Sequence, residues 1–145
     1  MKKFLFRLEP VLKHRSDIEE KEILVQSVAQ REYNEQLGIL ENIRRNLNRV
    51  RNNVSIGLTV DDCLARTLYI EYLEISLTRQ EKVVSKKLQE LERKRLAVIE
   101  ARKDKLILQK LKEKLYTCHI QELNIWEARL TDDQCTALTF RRKGG

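Results

Sequence analysis

Glycine and proline are scarce in this chain of 145 residues, which holds four Gly and one Pro. Average usage is about 7% Gly and 5% Pro. Gly144 and Gly145 lie at the very end, so Pro10, Gly38 and Gly57 are the only interior punctuation. A β-sandwich or a doubly wound α/β sheet needs many tight turns, and this chain cannot supply them. Aromatic residues make up only 6%, which argues against a thick globular core. No run approaches the roughly 20 apolar residues of a membrane span. Residues Met1 to Phe6 imitate a signal peptide, but Arg7 and Glu9 stop the apolar run short of the about 7–15 residues of an h-region. A soluble, cytoplasmic protein is the expectation. Cys63, Cys118 and Cys135 are far apart and form no CxxC pair. They read as reduced, isolated thiols.

Charge is what the chain has in abundance. Charged residues reach 35%, with 29 Lys+Arg against 22 Asp+Glu, a net charge of +7. Its distribution is uneven. Residues 1–60 carry +3, residues 61–78 carry −3, and residues 115–145 balance. Residues 79–114 hold 13 basic and 6 acidic side chains, so that one stretch equals the whole net charge. Such a composition suits long solvated helices with a narrow apolar seam.

The apolar pattern is helical from about residue 5 to 53. Val11, Ile18 and Val25 recur every seven residues. Tyr33, Gln36, Leu40, Ile43, Leu47, Val50 and Val54 then alternate steps of three and four, a heptad seam with one polar member. The two stretches differ in phase, which predicts a slip near residues 25–33. Pro10 falls where a first-turn proline is tolerated. A turn is expected over about 54–60, where Asn, Ser and Gly cluster, with Thr59 or Asp61 as the N-cap of a second helix.

That second helix is expected over about 61–140. Leu64, Leu68, Leu73 and Ile75 open its seam. Val84, Leu88, Leu91 and Val98 carry it on, followed by Leu108, Leu111, Leu115 and Cys118. Ile120, Leu123, Leu130 and Leu138 close it on a drifting face. At 1.5 Å per residue the two helices would be about 70 Å and about 120 Å long. The expected fold is all-α, one antiparallel two-helix coiled-coil hairpin spanning 1–145, with the second helix overhanging the first.

Signals of catalysis are nearly absent. The chain has no GxGxxG, P-loop, GxSxG or HExxH pattern. A metal at His14, Cys118 and His119 is disfavoured, because zinc needs four converging ligands and helix neighbours diverge. Trp126 reads either as seam packing or as a binding anchor. The basic residues of 79–114 raise the possibility of nucleic acid. That stretch carries no aromatic side chain for base stacking and interleaves its cations with Glu90, Glu92, Glu100, Asp104 and Glu113. A solvated or protein-docking face is the preferred reading.

Three segments, in order, resemble the FliJ family of bacterial flagellar type III export. The first is Phe4-Leu5-Phe6-Arg7-Leu8-Glu9-Pro10-Val11-Leu12, similar to the family's aromatic-x-Phe-Arg-Leu opening. The second is Gly57-Leu58-Thr59, like its Gly-aliphatic-Ser/Thr turn. The third is Leu106-Ile107-Leu108-Gln109-Lys110-Leu111-Lys112-Glu113-Lys114, which looks like its Leu-Lys-Glu-Lys stretch, with Asp132-Asp133 and Phe140-Arg141 following. Asp133 stands where the family tends to have Glu, and Cys135 where it tends to have a small Ala. Ile125 and Trp126 interrupt a stretch that is usually charged.

The resemblance implies a stalk without catalysis or cofactor, similar to the coiled coil of a rotary ATPase γ subunit. The implied partners are a hexameric export ATPase, a membrane export-gate protein and substrate-specific export chaperones, with no small molecule. The protein would be cytoplasmic and peripheral to the inner-membrane export apparatus. ATPase contacts are expected at Phe6, Arg7, Trp126, Leu130, Asp132, Asp133, Phe140 and Arg141. Gate contacts are expected among Leu40, Ile43, Leu47, Tyr69, Tyr72 and Leu73. The injectisome stalk of the SctO/YscO type is the related alternative. A basic nucleic-acid or ribosome-associated hairpin is the alternative of another class.

Overall fold

The computed structural model describes residues 3–53 and 56–144. Val54, expected in the seam, Ser55, expected in the turn, and Gly145 lie outside the described residues. Two helices account for nearly all of the described chain: α1, Glu9–Asn52, and α2, Val60–Lys143. No strand occurs among the described residues. The 44-residue α1 and the 84-residue α2 pack antiparallel, so the fold is an all-α helical hairpin with the second helix longer.

α1 begins at Glu9 rather than near residue 5. Pro10 explains the difference. Its ring would clash with the carbonyl four residues back, and it biases the preceding residue away from helical angles. Residues 3–6 accordingly carry no regular secondary structure. The helix opens with Glu9 N–H donating to the Phe6 carbonyl at 3.1 Å and Leu12 N–H to that of Leu8 at 2.8 Å.

The turn uses its glycine. Gly57 has φ +92°, a left-handed angle that an L side chain resists. Thr59, not Asp61, caps α2. The Asp62 N–H donates to Thr59 Oγ1 at 3.3 Å, and the Thr59 N–H donates back to Asp62 Oδ2 at 3.2 Å. This reciprocal pair is a capping box with Asp in the third helical position. The two Thr59 bonds, side chain first and then backbone, hold the Asp62 carboxyl below its ordinary pKa.

The chain forms two compact units, one of residues 18–101 and one of residues 1–17 with 102–145. In the first, Ile70, Leu73, Leu77, Gln80, Val84, Lys87, Leu91, Lys94, Val98 and Ala101 of α2 are all buried or half-buried. The steps alternate three and four without interruption, the mark of a coiled-coil seam. On α1 the corresponding positions are Glu22, Gln26, Ala29, Tyr33, Gln36, Leu40, Ile43, Leu47 and Val50. No slip occurs near 25–33. The seam passes through polar residues there, and Val25 lies outside it. Leu64, Leu68, Ile75 and Leu88, expected in the α2 seam, are exposed, while Ile70 and Leu77 take its places.

Cross-helix pairs fix the register of this unit. Arg44 pairs with Glu81 at 3.4 Å, and one heptad further along α1, Arg51 pairs with Glu74. Seven residues forward on one helix match seven back on the other. Lys87 Nζ lies 3.1 Å from Glu32 Oε2, and Arg95 donates from Nη1 to Glu92 on its own helix and from Nη2 to Gln30 of α1. Arg66 Nη2 donates to the carbonyls of Val50 at 2.7 Å and Arg51 at 3.1 Å. It thereby serves carbonyls that the end of α1 leaves without helical donors.

In the second unit the N-terminal segment lies against α2. Phe6 is buried, and the Phe4 ring meets Tyr116 edge-on at 5.3 Å. Glu9 pairs with Lys112 at 2.7 Å and Arg15 with Asp104 at 3.2 Å.

Candidate docking surfaces

The functional residues suggested by the sequence separate into core and surface. Leu40, Leu47 and Leu73 are buried in the interhelical seam. That burial removes them from any surface contact of the folded hairpin, because the seam consumes their side chains. Ile43 is half-buried beside them. Tyr69 and Tyr72 stay exposed, with rings 6.4 Å apart and stacked at 19°.

The two tyrosines belong to a longer stripe. Leu64, Leu68, Tyr72 and Ile75 follow one another at steps of four, four and three along α2, and each is more than half exposed. Residues at these spacings share one helix face. The seam expected from sequence included three of them. Their exposure shows instead that the start of α2 has two apolar faces, one spent on α1 and one facing solvent. An apolar helix face beyond what the seam consumes marks an interaction surface more often than scattered single residues do.

A second surface lies at the end of α2. Every described residue after Leu123 is exposed. Trp126 is 54% exposed and Phe140 is 80% exposed, with Leu130 and Leu138 between them. Asp132, Asp133 and Arg141 share this segment. Arg141, Arg142 and Lys143 lie in the last turn, where cations oppose the negative helix end. The threonines here are already engaged, as Thr131 donates to the Glu127 carbonyl and Thr136 to that of Asp132.

Phe6 and Arg7 are not on this free segment. Phe6 is buried, whereas Arg7 is exposed on the rim of an open groove of about 730 Å³. The groove runs between residues 4–8 and Leu115, Cys118, His119 and Glu122. His119 faces the Phe4 ring at 5.7 Å, and Cys118 is exposed. Among the described residues no group of three or more His, Cys, Asp or Glu is placed to hold a metal. Among them, too, no helix is long and apolar enough to cross a membrane.

Sequence reasoning missed three features: the outer stripe at Leu64 to Ile75, the Arg66 cap, and the exposed aliphatic patch of α1 at Leu24 and Val28. The first carried a signal, the four-four-three spacing, read as seam. The second had none, because its partners lie 15 and 16 residues away.

Comparison with known proteins bears on what these surfaces are for. The family model described as Flagellar FliJ protein matches residues 3–145. No curated protein and no solved structure gives a match. The matched family is the flagellar one, a component of flagellar type III protein export that serves flagellar biogenesis and motility. With nearly the whole sequence inside the match, the chain belongs to the FliJ family.

Proposed function

We propose that this protein is a non-catalytic link between the hexameric export ATPase and the membrane export gate of the flagellar system. The segment of α2 after Leu123 is the ATPase-docking element, and the α2 stripe beside the turn is the gate-docking element. The observation that carries this reading is the bare end of α2. Exposing Trp126, Leu130, Leu138 and Phe140 on a helix with no packing partner is costly, and a pore lined by several subunits would cover all sides of such a helix at once. Burying large aromatics in a partner is the usual source of binding energy.

The gate assignment keeps Tyr69 and Tyr72 of the residues the sequence suggested and moves to the exposed stripe around them. Leu64, Leu68, Tyr69, Tyr72 and Ile75 carry it, with Leu40, Leu47 and Leu73 acting as the core that holds the stripe in place. On the ATPase side, Trp126, Leu130 and Phe140 supply apolar contact, while Asp132, Asp133 and Arg141 supply polar contact at its rim. Arg7 is a rim candidate, and buried Phe6 fixes the N-terminal segment. Escort of substrate-specific export chaperones, cytoplasmic residence and peripheral association with the inner membrane complete the proposal.

The test is a pull-down with the cognate export ATPase, followed by its ATP hydrolysis rate with and without this protein. Retention on the ATPase and a changed rate are expected. Neither binding nor a rate change would sink the reading. Raising salt should leave apolar docking largely intact, whereas phosphate contacts to nucleic acid would weaken steeply.

A further inference from the structure

α1 carries an apolar surface that neither proposed docking element includes. Leu24, Val25 and Val28 of α1 lie outside the seam, with Leu24 67% exposed and Val28 52% exposed. Over the same turns the seam itself is filled by Glu22 and Gln26. Long polar side chains cover apolar neighbours with their stems, and Leu91 of α2 is fully buried all the same. The aliphatics of this part of α1 are therefore not needed for the hairpin core.

They form one wall of an open groove of about 340 Å³ whose other wall is α2 at Glu90, Arg93 and Lys94. The charge of that wall is decided by Lys87. Its ammonium lies 3.1 Å from Glu32 and 3.5 Å from Glu90, the two carboxylates of the groove. Both acids are thus compensated from within. Arg93 and Lys94 are not: among the described residues neither has an ion-pair partner. The groove is apolar along one side and cationic along the other.

We propose that this groove docks an amphipathic helix of a partner protein, its aliphatic stripe covering Leu24, Val25 and Val28 and its Asp or Glu residues meeting Arg93 and Lys94. An elongated concave surface between two helices accepts a ridge of side chains from a third. The charge complement selects an acidic edge. A second copy of this chain is a poorer occupant. In a face-to-face pairing of two such grooves, the α1 stripe of the second copy is flanked by Lys21 and Arg31, one turn from Leu24 and Val28, and brings cations toward Arg93 and Lys94.

The full-length protein is titrated into a fluorescein-labelled designed helical peptide, followed by anisotropy. The peptide carries Leu at i, i+3, i+4 and i+7 with Glu along one flank, and a sister peptide carries Lys there instead. The Glu peptide is expected to bind at least about tenfold tighter than the Lys peptide. Leu24→Asp and Val28→Asp, both at exposed positions, are each expected to weaken it by about tenfold with unchanged far-UV helicity. Arg93→Glu should reverse the preference between the peptides. Equal binding of the two peptides, no binding of the Glu peptide, or indifference to all three substitutions overturns the proposal. So does self-association in sedimentation velocity, or adsorption to anionic phospholipid vesicles, that Val28→Asp abolishes.

Discussion

The side-chain amide of Gln80 donates to both oxygens of Gln36, the backbone carbonyl at 3.1 Å and the side-chain carbonyl at 2.8 Å. The pair sits inside the seam, Gln36 four residues from buried Leu40 and Gln80 three from half-buried Leu77. A polar pair at seam positions typically specifies register at a cost in stability. Here it lies between layers that aliphatic side chains alone would allow to slide. Replacing Gln36 alone with Leu removes the side-chain acceptor, leaves the half-buried Gln80 amide only the backbone carbonyl, and should cost about 0.5–1.5 kcal/mol. Replacing both with Leu should recover most of that loss. Thermal unfolding of the two single variants and the double variant measures the coupling. Additive single effects would mean that the two amides do not act together.

Gly38 sits inside α1 with nothing within 4 Å of where a Cβ would be. It needs no unusual backbone angle, and a helical alanine loses less chain entropy than glycine. Gly38→Ala should therefore stabilise the protein by about 0.5–1 kcal/mol. A lowered unfolding midpoint would show that the position needs the missing side chain.

The fully buried Leu91 and the exposed Leu24 are a matched pair for testing the seam. Leu91→Ala removes buried methyls and leaves a cavity, at a cost of about 2–5 kcal/mol. Leu24→Ala removes the same atoms from solvent and should stay within about 0.5 kcal/mol. Equal losses would mean that Leu24, not Gln26, belongs to the seam.

This contrast also explains how much of the molecule was legible in its sequence. The hairpin, its single turn and the longer second helix follow from the shortage of Gly and Pro and from the heptads at Leu40, Ile43 and Leu47. The false slip near residue 25 arose because periodicity was traced through apolar residues. In a two-stranded seam, the stems of Glu22, Gln26, Lys87 and Lys94 close the layer as well, and hydropathy does not record them. The start of α2 misled for the converse reason. Leu64, Leu68 and Ile75 keep a helical period but point away from α1, and one helix cannot reveal which of two apolar faces its neighbour takes. The exposed end after Leu123 follows from the excess length of α2, whereas the sequence alone left Trp126 open between seam packing and a surface position. The burial of Phe6 was not legible, because it depends on α2 residues more than a hundred positions away.

Two groups give the stability a pH dependence of known sign. Thr59 holds the Asp62 carboxyl below its ordinary pKa. That contribution is present above the unfolded value and is lost as pH falls through the lower folded value. Hydrogen bonding to Glu32 first, then the charges of Glu32 and Glu90, raise Lys87. Its contribution is present below the unfolded value and is lost as pH rises through the higher folded value. Thr59→Ala should cost about 0.5–2 kcal/mol near neutral pH and return the Asp62 titration, followed by carboxyl NMR, to the ordinary carboxylate range. An unchanged titration would assign the shift to something other than the cap.

The two proposed docking elements predict separable defects. Trp126→Ala and Phe140→Ala truncate aromatics on the exposed end of α2. Helicity should be unchanged. Binding to the export ATPase should fall by at least about tenfold for a hot-spot aromatic, a loss of about 1.4 kcal/mol or more. Leu68→Ala and Tyr72→Ala should leave ATPase binding intact and weaken binding to the purified cytoplasmic part of the gate protein. All four variants are compared for helicity, for affinity to each partner and for motility in soft agar. Loss of helicity at Trp126 or Phe140 would assign those residues to folding. Loss of both partners from any one substitution would mean that one surface serves both, contrary to a link that must hold the two at the same time.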